Sequence, residues 1–162
     1  MTYIAVGQGE KYVTVKKTFE VMGGGFDITV IAVDEELGYI YIQEALAEVQ
    51  RIEKLISSWD EDSETSLINK NAGIKPVPVS WELYKLIERS TQISEITNGA
   101  FDITYTVLED IWKFDGSMST LPSKLEVKEA VSRTGYKNII LNSKDQTVYL
   151  NKKGMRISFG GI

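Results

Sequence analysis

Chemistry-bearing residues concentrate in Thr97-Asn98-Gly99-Ala100-Phe101-Asp102. A helical run carrying Ile93 and Ile96 stops here, and Asn98-Gly99 is a helix-stop signal. Glycine takes the left-handed conformation without a Cβ clash. A small residue, an aromatic and an acid follow, and then the β-branched series Ile103-Thr104-Tyr105-Thr106-Val107. Such a turn offers backbone N–H groups, a ring face and a carboxylate to one small ligand. The same spelling serves a plain glycine cap, with Phe101 in the core and Asp102 capping the next element. Two further stretches invite the same question. Ser57-Ser58-Trp59-Asp60-Glu61-Asp62-Ser63-Glu64 gathers acids around a Trp. It lacks the Gly and the closing Glu of an EF-hand loop, and it also reads as an exposed acidic turn with Trp59 as a lid on the core. Met22-Gly23-Gly24-Gly25 is either a hairpin turn or a place where backbone passes close to a ligand.

The composition narrows what these groups can do. The chain has 162 residues, the length of one domain, with 43% hydrophobic and 25% charged residues. Its net charge of −5, from 18 basic and 23 acidic residues, argues against a general binder of nucleic acid or anionic membrane. There is no Cys, hence no disulfide, thiolate site or cysteine nucleophile, and this leaves the compartment open. There is also no His, which removes Ser-His-Asp triads, HExxH metal sites and imidazole bases together. Chemistry falls to carboxylates, hydroxyls, Lys, Arg, backbone dipoles or an oxygen-ligated metal. No apolar run reaches the roughly 18 residues of a membrane span, and Met1 to Gly9 shows no signal-peptide pattern. No GxGxxG or GxxxxGK[ST] loop is present.

The elements that must position these residues follow from periodicity. Lys11 to Thr18 and Phe26 to Ala32 read as strands. Asp34 caps a helix whose Leu46, Val49, Ile52, Leu55 and Ile56 recur at three- and four-residue spacing. Leu67 to Gly73 reads as a short helical turn and a loop, and Pro76 to Val79 as extended. Ser80 caps the helix that ends at the 97–102 motif, and the apolar stretch Ile103 to Leu108 follows as an optional strand. Ser123-Lys124-Leu125-Glu126 is a capping box opening a further helix. Lys137 to Leu141, Gln146 to Leu150 and Arg156 to Phe159 are expected strands. Strands at both ends with helices between them predict α+β, an antiparallel sheet with helices packed on one face. The chain is expected to be a single partial domain over 1–162. Gly160-Gly161-Ile162 follows a strand-like segment directly, as in the N-terminal part of a longer protein.

Several pieces stand in one order: Met22-Gly23 before a strand, Ser58-Trp59-Asp60-x-Asp62-Ser63-Glu64 after a helix, and Pro78-Val79-Ser80 at a helix start. Thr97-x-Gly99-Ala100-Phe101-Asp102, Leu108…Trp112-x-Phe114, Gly135-Tyr136 and Ser158-x-Gly160-Gly161-Ile162 complete the set. From about Thr18 to Ile162 the chain resembles the first half of the ApbE family, the FAD:protein FMN transferases. The resemblance implies a truncated T-fold-like α+β core. It also implies a Mg²⁺-dependent enzyme that moves FMN from FAD to a Thr or Ser hydroxyl of an acceptor flavoprotein in a membrane redox complex. Some members instead hydrolyse FAD to FMN and AMP. The positions that bind FAD in the family are here Met22, Trp59, Ala100, Phe101 and Asp102, and Gly161 is the candidate metal contact. The family's Met-Gly-Thr reads Met22-Gly23-Gly24, so any contact from that Thr hydroxyl is lost. The remaining metal ligands are expected beyond Ile162, so the chain alone is expected to bind FAD weakly or not at all. The family further implies an extracytoplasmic, inner-membrane-associated lipoprotein, although this chain carries neither the signal nor the lipid-bearing Cys.

Overall fold

The computed structural model describes residues 3–5, 11–113 and 115–160, in two compact units, residues 1–54 and 55–162. Phe114 and Gly161 lie outside the described residues. The first unit holds an antiparallel sheet of β1 (Tyr3–Ala5), β2 (Lys11–Val21) and β3 (Gly24–Ala32), in that order. It also holds most of α1 (Glu35–Ile56). In β2 and β3, Val15 lies opposite Val30 and Phe19 opposite Phe26. This places one apolar face of the ribbon toward the helix, as a period of two requires. Asp34 caps α1 as expected, with its Oδ1 accepting from Leu37 N at 2.8 Å.

Helix and ribbon touch at Gly38. A Cβ there would lie 2.5 Å from Val15 Cγ2, and Val15 is itself buried. In an exposed helix Gly→Ala gains roughly 0.5–1 kcal/mol. Here overpacking costs about 1–3 kcal/mol, so the balance reverses. Gly38→Ala is therefore expected to lower stability by about 1 kcal/mol in a denaturant titration. A stabilised variant would show that helix and sheet do not meet there.

The second unit runs through α2 (Glu64–Lys70), β4 (Val77–Pro78), α3 (Trp81–Ile96), α4 (Lys124–Ser132), β5 (Ile139–Asn142) and β6 (Thr147–Leu150). Its sheet is antiparallel in the order β4-β6-β5. Pro78 lies in an edge strand, where its missing N–H disturbs least. The core joins Leu83 and Ile87 of α3, Ile68 of α2, Val148 and Leu150 of β6, and Met155, Ile157 and Phe159. Ser80 and Ser123 cap α3 and α4, and Ser123 with Glu126 forms the expected capping box. The fold is α+β as expected, with two three-stranded antiparallel sheets where one was anticipated.

Two other expectations change. Residues 156–159 keep the alternating burial of a strand but have no strand partner among the described residues. The Asn69 carboxamide takes that place: its Oδ1 accepts from Ile157 N at 2.8 Å and its Nδ2 donates to Ile157 O at 3.0 Å. Residues 103–108 are not a strand either. A 3-10 turn covers Tyr105–Asp110, because the Asp102 carboxylate accepts from Thr104 N and Oγ1 and starts a turn. Local side-chain bonds of this kind outweigh β propensity.

Candidate functional site

In the second unit α3 ends as its residues dictate. Asn98 (φ 52°) and Gly99 (φ 81°) both sit in the left-handed region. Three N–H groups of that turn, which the sequence offered to a ligand, are bonded within the chain. Gly99 N donates to Ser94 O at 2.8 Å and Ala100 N to Thr97 O at 3.1 Å. Phe101 N donates to Thr97 Oγ1 at 3.1 Å. A helix end satisfies its orphan groups internally where it can, and the side chains of the turn face the cleft.

Those side chains line a cleft of about 350 Å³. Gly99, Ala100, Phe101 and Asp102 form one wall, and Ile103 and Leu108 add apolar surface. Tyr105, Thr134 and Ser158 add hydroxyls. This volume is at the small end of ligand sites and takes one ring system with its nearest polar groups. Phe101 is half-buried. It packs against the core and also lines the cleft. Burial, and then the nearby Glu109 charge, push the Tyr105 phenol above the usual tyrosine range. It therefore stands in the cleft as a neutral hydroxyl.

The Asp102 carboxylate accepts three hydrogen bonds. Its Oδ1 accepts from Thr104 N at 2.8 Å and from Thr104 Oγ1 at 2.7 Å. Its Oδ2 accepts from Tyr136 N at 2.8 Å, and Thr104 Oγ1 accepts from Gly135 N at 2.7 Å. Asp102 does not cap the 3-10 turn, whose N-cap is Thr104 with no side-chain cap bond; its carboxylate instead closes a turn onto Thr104 and reaches across the chain to Tyr136.

Trp59 belongs to the same unit but not to the cleft lining. It is 86% exposed, so it is no lid on the core. Its loop is nonetheless tied down. Ser57 Oγ accepts from Trp59 N and Asp60 N, Asp60 Oδ1 accepts from Asp62 N, and Ser63 Oγ donates to Ser57 O. An ordered loop thus displays a bare indole.

Met22 lies in the first unit, at the tip of the β2–β3 hairpin. Val21 pairs with Gly24, leaving Met22 (φ 54°) and Gly23 (φ 73°) as a two-residue turn. Both φ values are positive, the primed geometry that matches strand twist. Gly24 and Gly25 belong to the strand. Glu53 Oε1 accepts from Met22 N at 2.8 Å. A left-handed Met costs on the order of 1 kcal/mol, and strain of this kind collects at functional sites. Met22→Gly is expected to raise stability by about 0.5–1 kcal/mol in thermal unfolding. A less stable variant would mean that the Met side chain holds the hairpin.

Among the described residues no three acidic side chains come together to hold a metal ion. Tyr105, Ser158 and Thr104 are not among the site residues expected from the sequence, although Ser158 opens the Gly160-Gly161 motif. Asp102-x-Thr104 was a legible turn signal, whereas the approach of Ser158 to Tyr105 had none.

A profile of the ApbE family matches residues 22–162, which include every candidate position named above. The chain belongs to the ApbE family. It is 29% identical over 135 residues to a Klebsiella pneumoniae protein named FAD:protein FMN transferase, covering 82% of this chain and 39% of the relative. A Buchnera aphidicola protein of the same name is 37% identical over 99 residues, covering 60% of this chain and 29% of the relative. The crystal structure of the ApbE protein from Thermotoga maritima superposes with a TM-score of 0.73 at 33% identity, covering 93% of this chain and 48% of that one. The flavin transferase ApbE from Vibrio cholerae has the same fold, with a TM-score of 0.78 at 19% identity over 91% of this chain and 48% of that one. The chain thus spans less than half the length of these relatives.

Proposed function

We propose that this chain is the flavin-binding part of an FAD:protein FMN transferase. The observation that carries the reading is that the family match includes the 99–105 segment, and that segment walls a cleft sized for one ring system. Met22, Trp59, Ala100, Phe101 and Asp102 are the residues proposed to hold FAD. The exposed indole suits stacking on a ring and the thioether suits a polarisable one. Transfer of FMN from FAD to a Thr or Ser hydroxyl of an acceptor flavoprotein is the proposed reaction, with Mg²⁺ as the ion. Gly161 is the proposed metal contact in this chain. The described residues assemble no metal site, so no step is assigned to the ion from them. Such phosphoryl transfer depends on positioning and charge neutralisation, which agrees with a chain that has no His.

An acceptor in a membrane redox complex and an extracytoplasmic, membrane-associated location complete the proposal. Among the described residues no helix is long and apolar enough to cross a membrane. The test incubates FAD, Mg²⁺ and a Thr-bearing acceptor peptide with the full polypeptide and, separately, with residues 1–162. The expected result is an FMN adduct and AMP release from the full polypeptide only. An adduct formed by residues 1–162 alone would overturn the downstream placement of the metal ligands. AMP without adduct would mark an FAD pyrophosphatase. FAD binding indifferent to Mg²⁺, with no AMP, would mark a non-catalytic flavin-binding module.

A further inference from the structure

Thr104 is fully buried, so it cannot touch a ligand in the cleft. Its hydroxyl nevertheless joins two segments that each contribute to the cleft lining. It donates to Asp102 Oδ1 at 2.7 Å and accepts from Gly135 N at 2.7 Å. One residue on, Tyr136 N donates to the other Asp102 oxygen at 2.8 Å. Thr134 and Ala100 to Asp102, on either side of this staple, all line the cleft. Gly135 has φ 115°, so the staple holds the chain there in a conformation that L side chains rarely adopt. A hydroxyl with both a donor and an acceptor role engaged, inside a buried network, has one orientation.

We propose that Thr104 is a positioning residue for the ligand. Through Asp102 and Gly135 it sets the distance between the 100–102 wall and Thr134, and thereby the affinity of the cleft for a flavin ring. This rests on the flavin reading above. Linkage makes it testable from both sides, because a ligand that needs the staple must also stabilise it.

The experiment measures FAD affinity of the full polypeptide by flavin fluorescence, alongside amide hydrogen exchange at Gly135 and Tyr136. Thr104→Val removes the hydroxyl at constant shape and is expected to raise the FAD Kd about tenfold or more. Thr104→Ser keeps the hydroxyl and is expected to stay within about threefold of the parent. In the parent protein, saturating FAD is expected to slow exchange at both amides. A folded Thr104→Val protein with unchanged Kd would overturn the inference, since a merely structural threonine changes stability alone. If that variant does not fold, the parent decides: exchange at Gly135 and Tyr136 untouched by FAD overturns the proposal. A parent protein that binds no FAD would instead overturn the flavin reading, and this inference with it.

Discussion

Asp102→Ala is expected to destabilise the protein by about 3 kcal/mol, because it strands donors on both sides of one carboxylate. Thr104 N, Thr104 Oγ1 and Tyr136 N all donate to Asp102. A hydrogen bond to a charged acceptor is worth roughly 1.5–3 kcal/mol, and donors left unsatisfied add to the loss. Asp102 is half-buried and water reaches part of the site, so the sum falls well below three full bonds. For a chain of this size about 3 kcal/mol lowers the melting temperature by roughly 6–12 °C. Asp102→Asn keeps the oxygen facing Thr104 and turns an amide toward Tyr136 N, so an intermediate loss is expected. Calorimetry on the three proteins checks the order. Equal melting points for Asp102→Ala and the parent would mean that the carboxylate serves the ligand and not the fold.

Trp59→Ala is expected to do the opposite: leave the fold alone and disable binding. An indole 86% exposed contributes almost nothing to the core, and surface substitutions usually stay within about 0.5 kcal/mol. The hydrogen bonds that shape its loop run through backbone groups and the Ser57, Asp60 and Ser63 side chains, all of which survive. Stacking of one base on an aromatic side chain is worth about 1–3 kcal/mol, which is roughly 5- to 150-fold in affinity. FAD titration of the full polypeptide should show a loss in that range, and Trp59→Tyr should recover most of it. A variant that melts well below the parent but binds FAD equally would remove Trp59 from the site.

Met22 and Trp59 show why the two kinds of residue read differently in a sequence. Each is apolar, and an apolar residue is usually buried. In the structure Met22 stands at a hairpin tip and Trp59 in open solvent. Only the family resemblance distinguished them from core residues. Phe101 shows the limit of that distinction, since it serves core and cleft at once.

The sequence by itself determined the elements that local chemistry dictates. The caps at Asp34, Ser80 and Ser123, the stop at Asn98-Gly99 and the α+β class all follow from side chains acting within a few residues of themselves. Family membership was legible for a related reason, because motif order and spacing are linear properties. Tertiary structure decided the rest. It made residues 105–110 a 3-10 turn, gave Ile157 an Asn69 amide as partner, and tied the Gly99, Ala100 and Phe101 N–H groups to Ser94 and Thr97. It also brought Gly135 and Tyr136 to Asp102 and Thr104 across more than thirty residues of chain. Hydrogen-bond partners distant in sequence are chosen by where the chain returns, and no local pattern encodes that return.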